Sequence, residues 1–109
     1  MDNATTETAP LLSELAGDAD MAELIEMFVA ELPDRVAALR QALTERDFEA
    51  LRRLAHQLKG AAGGYGFPTI TEAAKDLELT AKTDRALERT AAELQALAAL
   101  CARARATAP

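Results

Sequence analysis

Apolar residues recur at helical three-and-four spacing along most of the chain, and no stretch alternates as a half-buried strand does. From Met21 the run Met21, Leu24, Ile25, Phe28, Leu32, Val36, Leu39 and Leu43 holds its phase straight across Pro33. That phase predicts one helix kinked at Pro33. A stop there and a new helix opening at Pro33 is the competing reading, because proline is welcome at a first helical position. Asp18 or Asp20 is placed to cap the start. A second stripe of Phe48, Leu51, Leu54, Ala55, Leu58, Ala62 and Tyr65 follows Asp47, a good N-cap, and should end around Tyr65 or Gly66. Pro68 starts a third helix with Ile70, Ala73, Ala74, Leu77 and Ala81 inward. Thr83 or Asp84 begins the last, with Leu87, Leu94, Leu97, Ala98 and Cys101 inward.

Four amphipathic helices with short connections predict an all-α, antiparallel four-helix bundle. Ahead of it Leu11, Leu12 and Leu15 suggest a short additional N-terminal helix, ended by the Gly17-Asp18 break. Residues 1–10 read as a disordered tail, 11–105 as one bundle domain and 106–109 as a fraying C-terminal tail. Composition agrees with close helix packing, since half the residues are apolar while aromatics reach only 4% and Trp is absent. A net charge of -6 supplies no global field to draw the chain onto nucleic acid. No leader-like basic-then-apolar succession opens the sequence, and no uncharged run is long enough to span a bilayer. The single cysteine, Cys101, cannot pair internally and falls on the apolar phase, so it reads as a small buried hydrophobe. These features predict a soluble, cytoplasmic protein.

The stretch from Ala55 to Pro68 changes the picture, because it holds the only histidine and four of the five glycines. With Leu58 at zero and about 100° per residue, the apolar residues of this helix cluster near zero and His56 falls at about 160°. The imidazole therefore points to solvent from mid-helix, with Glu49, Arg52, Lys59, Gly60 and Gly63 on the same outer face. Arg53 points away on the other side and reads as a solvated charge. Each helical glycine costs on the order of 1 kcal/mol relative to alanine, so Gly60, Gly63 and Gly64 need a compensating use. Gly60 and Gly63 lie one and two turns after His56, where they clear room for another protein's backbone. Lys59 and Arg52 add local positive charge to an acidic chain. An exposed, largely neutral imidazole can attack an activated phosphoryl group without a further base. No triad, Walker-type run or carboxylate cluster completes an active site, so a partner must do so.

His56-x-Leu58-Lys59-Gly60-Ala61-Ala62 followed by Gly66 resembles the signature of histidine-containing phosphotransfer (HPt) domains of bacterial phosphorelays. Leu24-Ile25-x-x-Phe28, Asp47 and Leu77-Glu78 also match that family's pattern, so the resemblance covers most of the chain. It implies that His56 is phosphorylated at its distal ring nitrogen by the aspartyl phosphate of a receiver domain, which also brings Mg²⁺. It further implies that Lys59 contacts the phosphate and that Gly60 and Gly63 make room for the receiver; Arg52, Gln57 and Gly64 are further receiver-docking candidates. The implied partners are response-regulator receiver domains and a hybrid histidine kinase, with no nucleic acid, no membrane, no cofactor and no metal held by the chain itself. The implied state is a monomeric phosphocarrier, not an enzyme. The alternative from another class is a helical adaptor or inhibitor that binds a receiver or kinase without being phosphorylated; a phosphatase stands third.

Overall fold

The computed structural model describes residues 9–107. Four helices, α1 (Ala22–Thr44), α2 (Phe48–Gly64), α3 (Pro68–Thr83) and α4 (Leu87–Arg103), are joined by short turns and flanked by two-residue strands β1 (Leu11–Leu12) and β2 (Ala104–Arg105). Helix α1 packs on α2 and α4, and α3 packs on the same two, so every helix lies between two neighbours around one core. The repeating apolar positions become that core: Ile25, Phe28, Leu32 and Leu39 from α1 meet Leu51, Ala55, Leu58 and Ala62 from α2. Helix α3 adds Ile70, Ala74, Leu77 and Ala81, and α4 adds Leu94, Leu97 and Cys101. The alanines let helix axes approach closely where leucine on both sides would hold them apart. Phe28 stacks on Tyr65 with ring centroids 5.0 Å apart and lies 5.9 Å from Phe67, filling the end of the bundle where α2 turns into α3.

Two residues expected inward are not. Leu24 is 46% exposed and Leu87 is 40% exposed. Leu24 sits roughly 75° off the centre of its stripe, while Leu87 is the first residue of α4, within a stretch exposed from Lys82 to Arg89. Helix α1 runs unbroken through Pro33, which settles the choice between a continuous helix and a stop. Asp47 caps α2 as expected, its carboxylate accepting from Ala50 N at 3.0 Å. The other two cap expectations are corrected. Asp18 instead accepts from Asp20 N, forming a turn, and α1 starts after Met21 with no side-chain cap. Thr83 and Asp84 close α3 rather than open α4: the N–H groups of Asp84 and Arg85 both donate to the Thr80 carbonyl, and α4 starts after Ala86.

The N-terminal segment is not the short helix that its leucines suggest. Leu11 and Leu12 are extended and pair in parallel with Ala104 and Arg105, so their backbone groups bond across the chain instead of along a helix. Ala9 accepts from Arg103 Nε at 2.8 Å, and Ala106 packs on the core, so both ends are tied to one another. Residues 1–8 of the expected N-terminal tail and residues 108–109 lie outside the described residues. Ser13 is buried; its hydroxyl donates to the Tyr65 carbonyl at 2.6 Å, and Glu14 N donates to the Gly66 carbonyl at 2.8 Å. This strap lies over the α2–α3 turn.

Gly66 is what makes that turn. The Phe67 N–H reaches back to the Ala62 carbonyl and the Gly66 N–H to Gly63, the hydrogen-bond pattern of a Schellman end, with Gly66 at φ +85°. A Cβ here would stand 2.5 Å from Ser13 Oγ and 3.0 Å from Glu14 N. Gly66→Ala should therefore combine left-handed strain with displacement of the strap, and lose about 2–3 kcal/mol in urea unfolding. A loss below about 0.5 kcal/mol would contradict this account.

Candidate functional site

The face of α2 opposite its core stripe carries the candidate chemistry. Leu51, Ala55, Leu58 and Ala62 are buried on one side, so His56 projects from the other with its side chain 61% exposed. The ring does not hang free. Nδ1 lies 2.9 Å from Glu78 Oε2 on α3, and the second oxygen of that carboxylate lies 2.8 Å from Lys59 Nζ. One glutamate thus joins the two residues that sequence reasoning had placed side by side without a connection.

The chemistry of the carboxylate fixes the direction of its hydrogen bond with the ring. Glu78 has little exposed surface, which by itself favours the neutral acid, yet its pKa is held below the ordinary glutamate value, first by the hydrogen bond from Lys59 and then by that from His56. An ionised carboxylate only accepts, so Nδ1 must carry the proton and donate it. The lone pair of a neutral ring then belongs to Nε2, the nitrogen farther from Glu78. Lys59 offsets the carboxylate's charge and is itself only 30% exposed. Beneath it the Thr71 hydroxyl of α3 donates to the Lys59 carbonyl at 3.2 Å, joining the same stretch of α2 to α3.

The remaining candidates distribute around His56. Gly60 has nothing within 4 Å of where a Cβ would be, and neither has Gly64, so packing within the chain requires neither glycine. At Gly63 a Cβ would meet only Thr71 Oγ1, at 3.5 Å, an ordinary contact. The clearing therefore lies open to solvent beside the imidazole. Arg52, one turn before His56, is engaged by Glu49, with Nε and Nη2 at 2.7 and 2.6 Å from the same oxygen. It is not part of the His56–Glu78–Lys59 cluster. Gln57 lies on the α1 side, lining a cleft of about 300 Å³ with Leu54, Ala38, Glu31, Asp34 and Arg35; by helical phase Gly64 shares that side. Among the described residues no group of three or more His, Cys, Asp or Glu side chains is arranged to hold a metal ion. Cys101 is buried, and burial pushes its thiol up to about 11, so it is a packing residue with an unreactive thiol.

Sequence reasoning quoted Glu78 only as part of a family pattern and gave it no role. Its signal was a glutamate next to the core residue Leu77, at the edge of the α3 stripe facing α2, where an unpaired carboxylate would be costly. The Hpt domain family model matches residues 23–107, a span from the start of α1 through β2 that contains His56, Lys59, Gly60 and Glu78. The chain belongs to the Hpt domain family. Hpt domains are phosphotransfer modules of two-component signalling, phosphocarriers rather than catalysts, which interact with receiver domains and kinases in phosphorelays. No curated protein and no solved structure matches the chain. No helix among the described residues is long and apolar enough to cross a membrane.

Two measurements test this site in the unmodified Hpt domain. Gly60→Ala fills open space on an exposed helix and should raise stability by about 0.5–1 kcal/mol, seen as a higher thermal midpoint. An unchanged or lower midpoint would mean that the glycine serves the fold itself. Because Glu78 has a depressed pKa when folded, its contribution is complete above its unfolded value and is lost as the pH falls through the folded one. The stability gap between the wild type and Glu78→Gln should therefore be constant above about pH 5 and close progressively below about pH 4. A gap that widens on acidification would have the wrong sign.

Proposed function

We propose that this chain is a monomeric cytoplasmic phosphocarrier that accepts a phosphoryl group on His56 Nε2 from a receiver aspartate and passes it to another. The observation that carries this reading is the exposed imidazole whose Nδ1 proton is committed to Glu78. A neutral ring so held presents an outward lone pair at Nε2, and the hydrogen bond to an anion makes that nitrogen a better nucleophile.

In the loading step the Nε2 lone pair attacks phosphorus, the Nε2–P bond forms, and the P–O bond to the partner's aspartate breaks to release a carboxylate. Glu78 stabilises the positive charge that develops on the ring. In the return step a partner carboxylate attacks phosphorus and the ring leaves with the Nε2–P electrons. The hydrogen bond from Nδ1–H to Glu78 is kept through both steps, so one interaction assists both directions. Lys59 stands close enough to turn from Glu78 toward a new dianion, since a lysine chain reorients its ammonium over several ångströms at little cost. Gly60 and Gly63 leave the approach to Nε2 clear. The activating metal belongs to the receiver.

Incubation with a phosphorylated receiver domain tests the reading. Transfer should give the chain an acid-labile, base-stable label that His56→Gln abolishes, and Lys59→Ala should slow transfer or shorten the lifetime of the label while far-UV circular dichroism stays unchanged. A label retained in His56→Gln would sink the assignment. Tight receiver binding with no label at all would favour an unphosphorylated adaptor.

A further inference from the structure

All three lysines of this acidic chain gather around one carboxylate. Lys59 is paired with Glu78, and Lys75 and Lys82, three residues before and four after Glu78, line with it and Leu79 a shallow hollow of about 210 Å³ on α3. Among the described residues neither Lys75 nor Lys82 takes part in an ion pair. Leu79 is 58% exposed, more than any other large apolar side chain described. An apolar knob between two unpaired ammonium groups adds nothing to the core and exposes surface that water disfavours.

The glycine clearing solves only half of a docking problem. It lets a partner's backbone approach His56, but glycines offer no side-chain area, and binding energy concentrates in a few buried apolar or aromatic anchors. An ordinary interface covers about 800 Å² on each partner, far more than the clearing alone provides. Leu79 shares its hollow with Glu78, whose carboxylate holds both His56 and Lys59, so a partner seated on His56 has Leu79 at its edge. A partner that holds a divalent cation beside a phosphorylated aspartate must crowd carboxylates around that point, and such a rim repels a chain of net charge -6 unless cations meet it locally. Leu24 and Met27 on α1, the next most exposed, are flanked by Glu23 and Glu26 and offer that rim no cation.

Resting on the phosphocarrier reading above, the geometry points to a receiver footprint that runs off α2 onto α3, with Leu79 as its apolar anchor and Lys75 and Lys82 as the cations that meet the receiver's acidic rim. These residues act on encounter and residence, not on the reactivity of the imidazole.

The test uses the full chain, a phosphorylated receiver domain, and phosphoramidate, a small donor whose P–N bond breaks with loss of ammonia as Nε2–P forms. Leu79→Ala should lower the second-order rate constant from the receiver about tenfold. Lys75→Gln with Lys82→Gln should lower it at low salt and flatten its salt dependence. Both variants should load from phosphoramidate at the wild-type rate. All three positions are exposed, and unchanged circular dichroism confirms the fold. Receiver rates within twofold of wild type in both variants would overturn the inference, as would an equal loss with phosphoramidate, which would place the effect on His56 itself. A dimer that Leu79→Ala dissociates would also overturn it, assigning the patch to a second copy of this chain. A wild type that accepts phosphate from neither donor defeats the phosphocarrier reading and this inference with it.

Discussion

The α2–α3 turn sets everything that the site requires. Gly66 takes a left-handed conformation that ends α2 and sends α3 back along it, with Pro68 at the first helical position supplying the φ that restarts the chain. From that turn the register follows: Gly63 meets Thr71, the Thr71 hydroxyl reaches the Lys59 carbonyl, and Glu78 comes opposite His56. A shift of one residue in this pairing would rotate Glu78 by about 100° and leave the imidazole without a partner. The strap over the turn has a place in this logic, because Ser13 and Glu14 satisfy the Tyr65 and Gly66 carbonyls that a helix end leaves open.

The outward phase of His56, the stripe beneath it and the Asp47 cap were all legible before any coordinates, because each is a property of one helix and helical period is written locally. Glu78 was not legible as a functional residue. Its role depends on which turn of α3 faces which turn of α2, and periodicity fixes the face of a helix without fixing its axial register. The β1–β2 pairing was hidden for a related reason: a two-residue ladder has no periodic signature, and the leucines of β1 fit a helical turn equally well. Leu24 shows the opposite failure, in which a residue matches the spacing yet lies at the margin of a stripe that Ile25 and Phe28 already fill.

On the phosphocarrier reading, electrostatics reconcile an acidic protein with an acidic partner. At physiological ionic strength charges more than about 8 Å apart are largely screened, so the net charge of -6 matters less to docking than the groups within a turn of His56. There Lys59 pairs with Glu78, whose charge it shares with the imidazole, and Lys75 and Lys82 flank that glutamate along α3. Long-range repulsion and short-range attraction can then coexist, which suits a carrier that must leave each partner after transfer.

A carrier also needs a phosphoryl bond that is neither too stable nor too reactive, and Glu78 is placed to set that balance. A carboxylate on Nδ1 that is too strong an acceptor would make the ring too good a leaving group and hasten loss of phosphate to water. Lys59 limits this, because its ammonium draws on the same carboxylate and keeps the Glu78 pKa low. When a phosphoryl dianion is added at Nε2, Lys59 has two anions to choose between. The more it turns to the phosphate, the more Glu78 is left to the ring, and the better the ring becomes as a leaving group. On the proposed phosphocarrier reading, a single lysine couples the arrival of phosphate to the readiness to give it up.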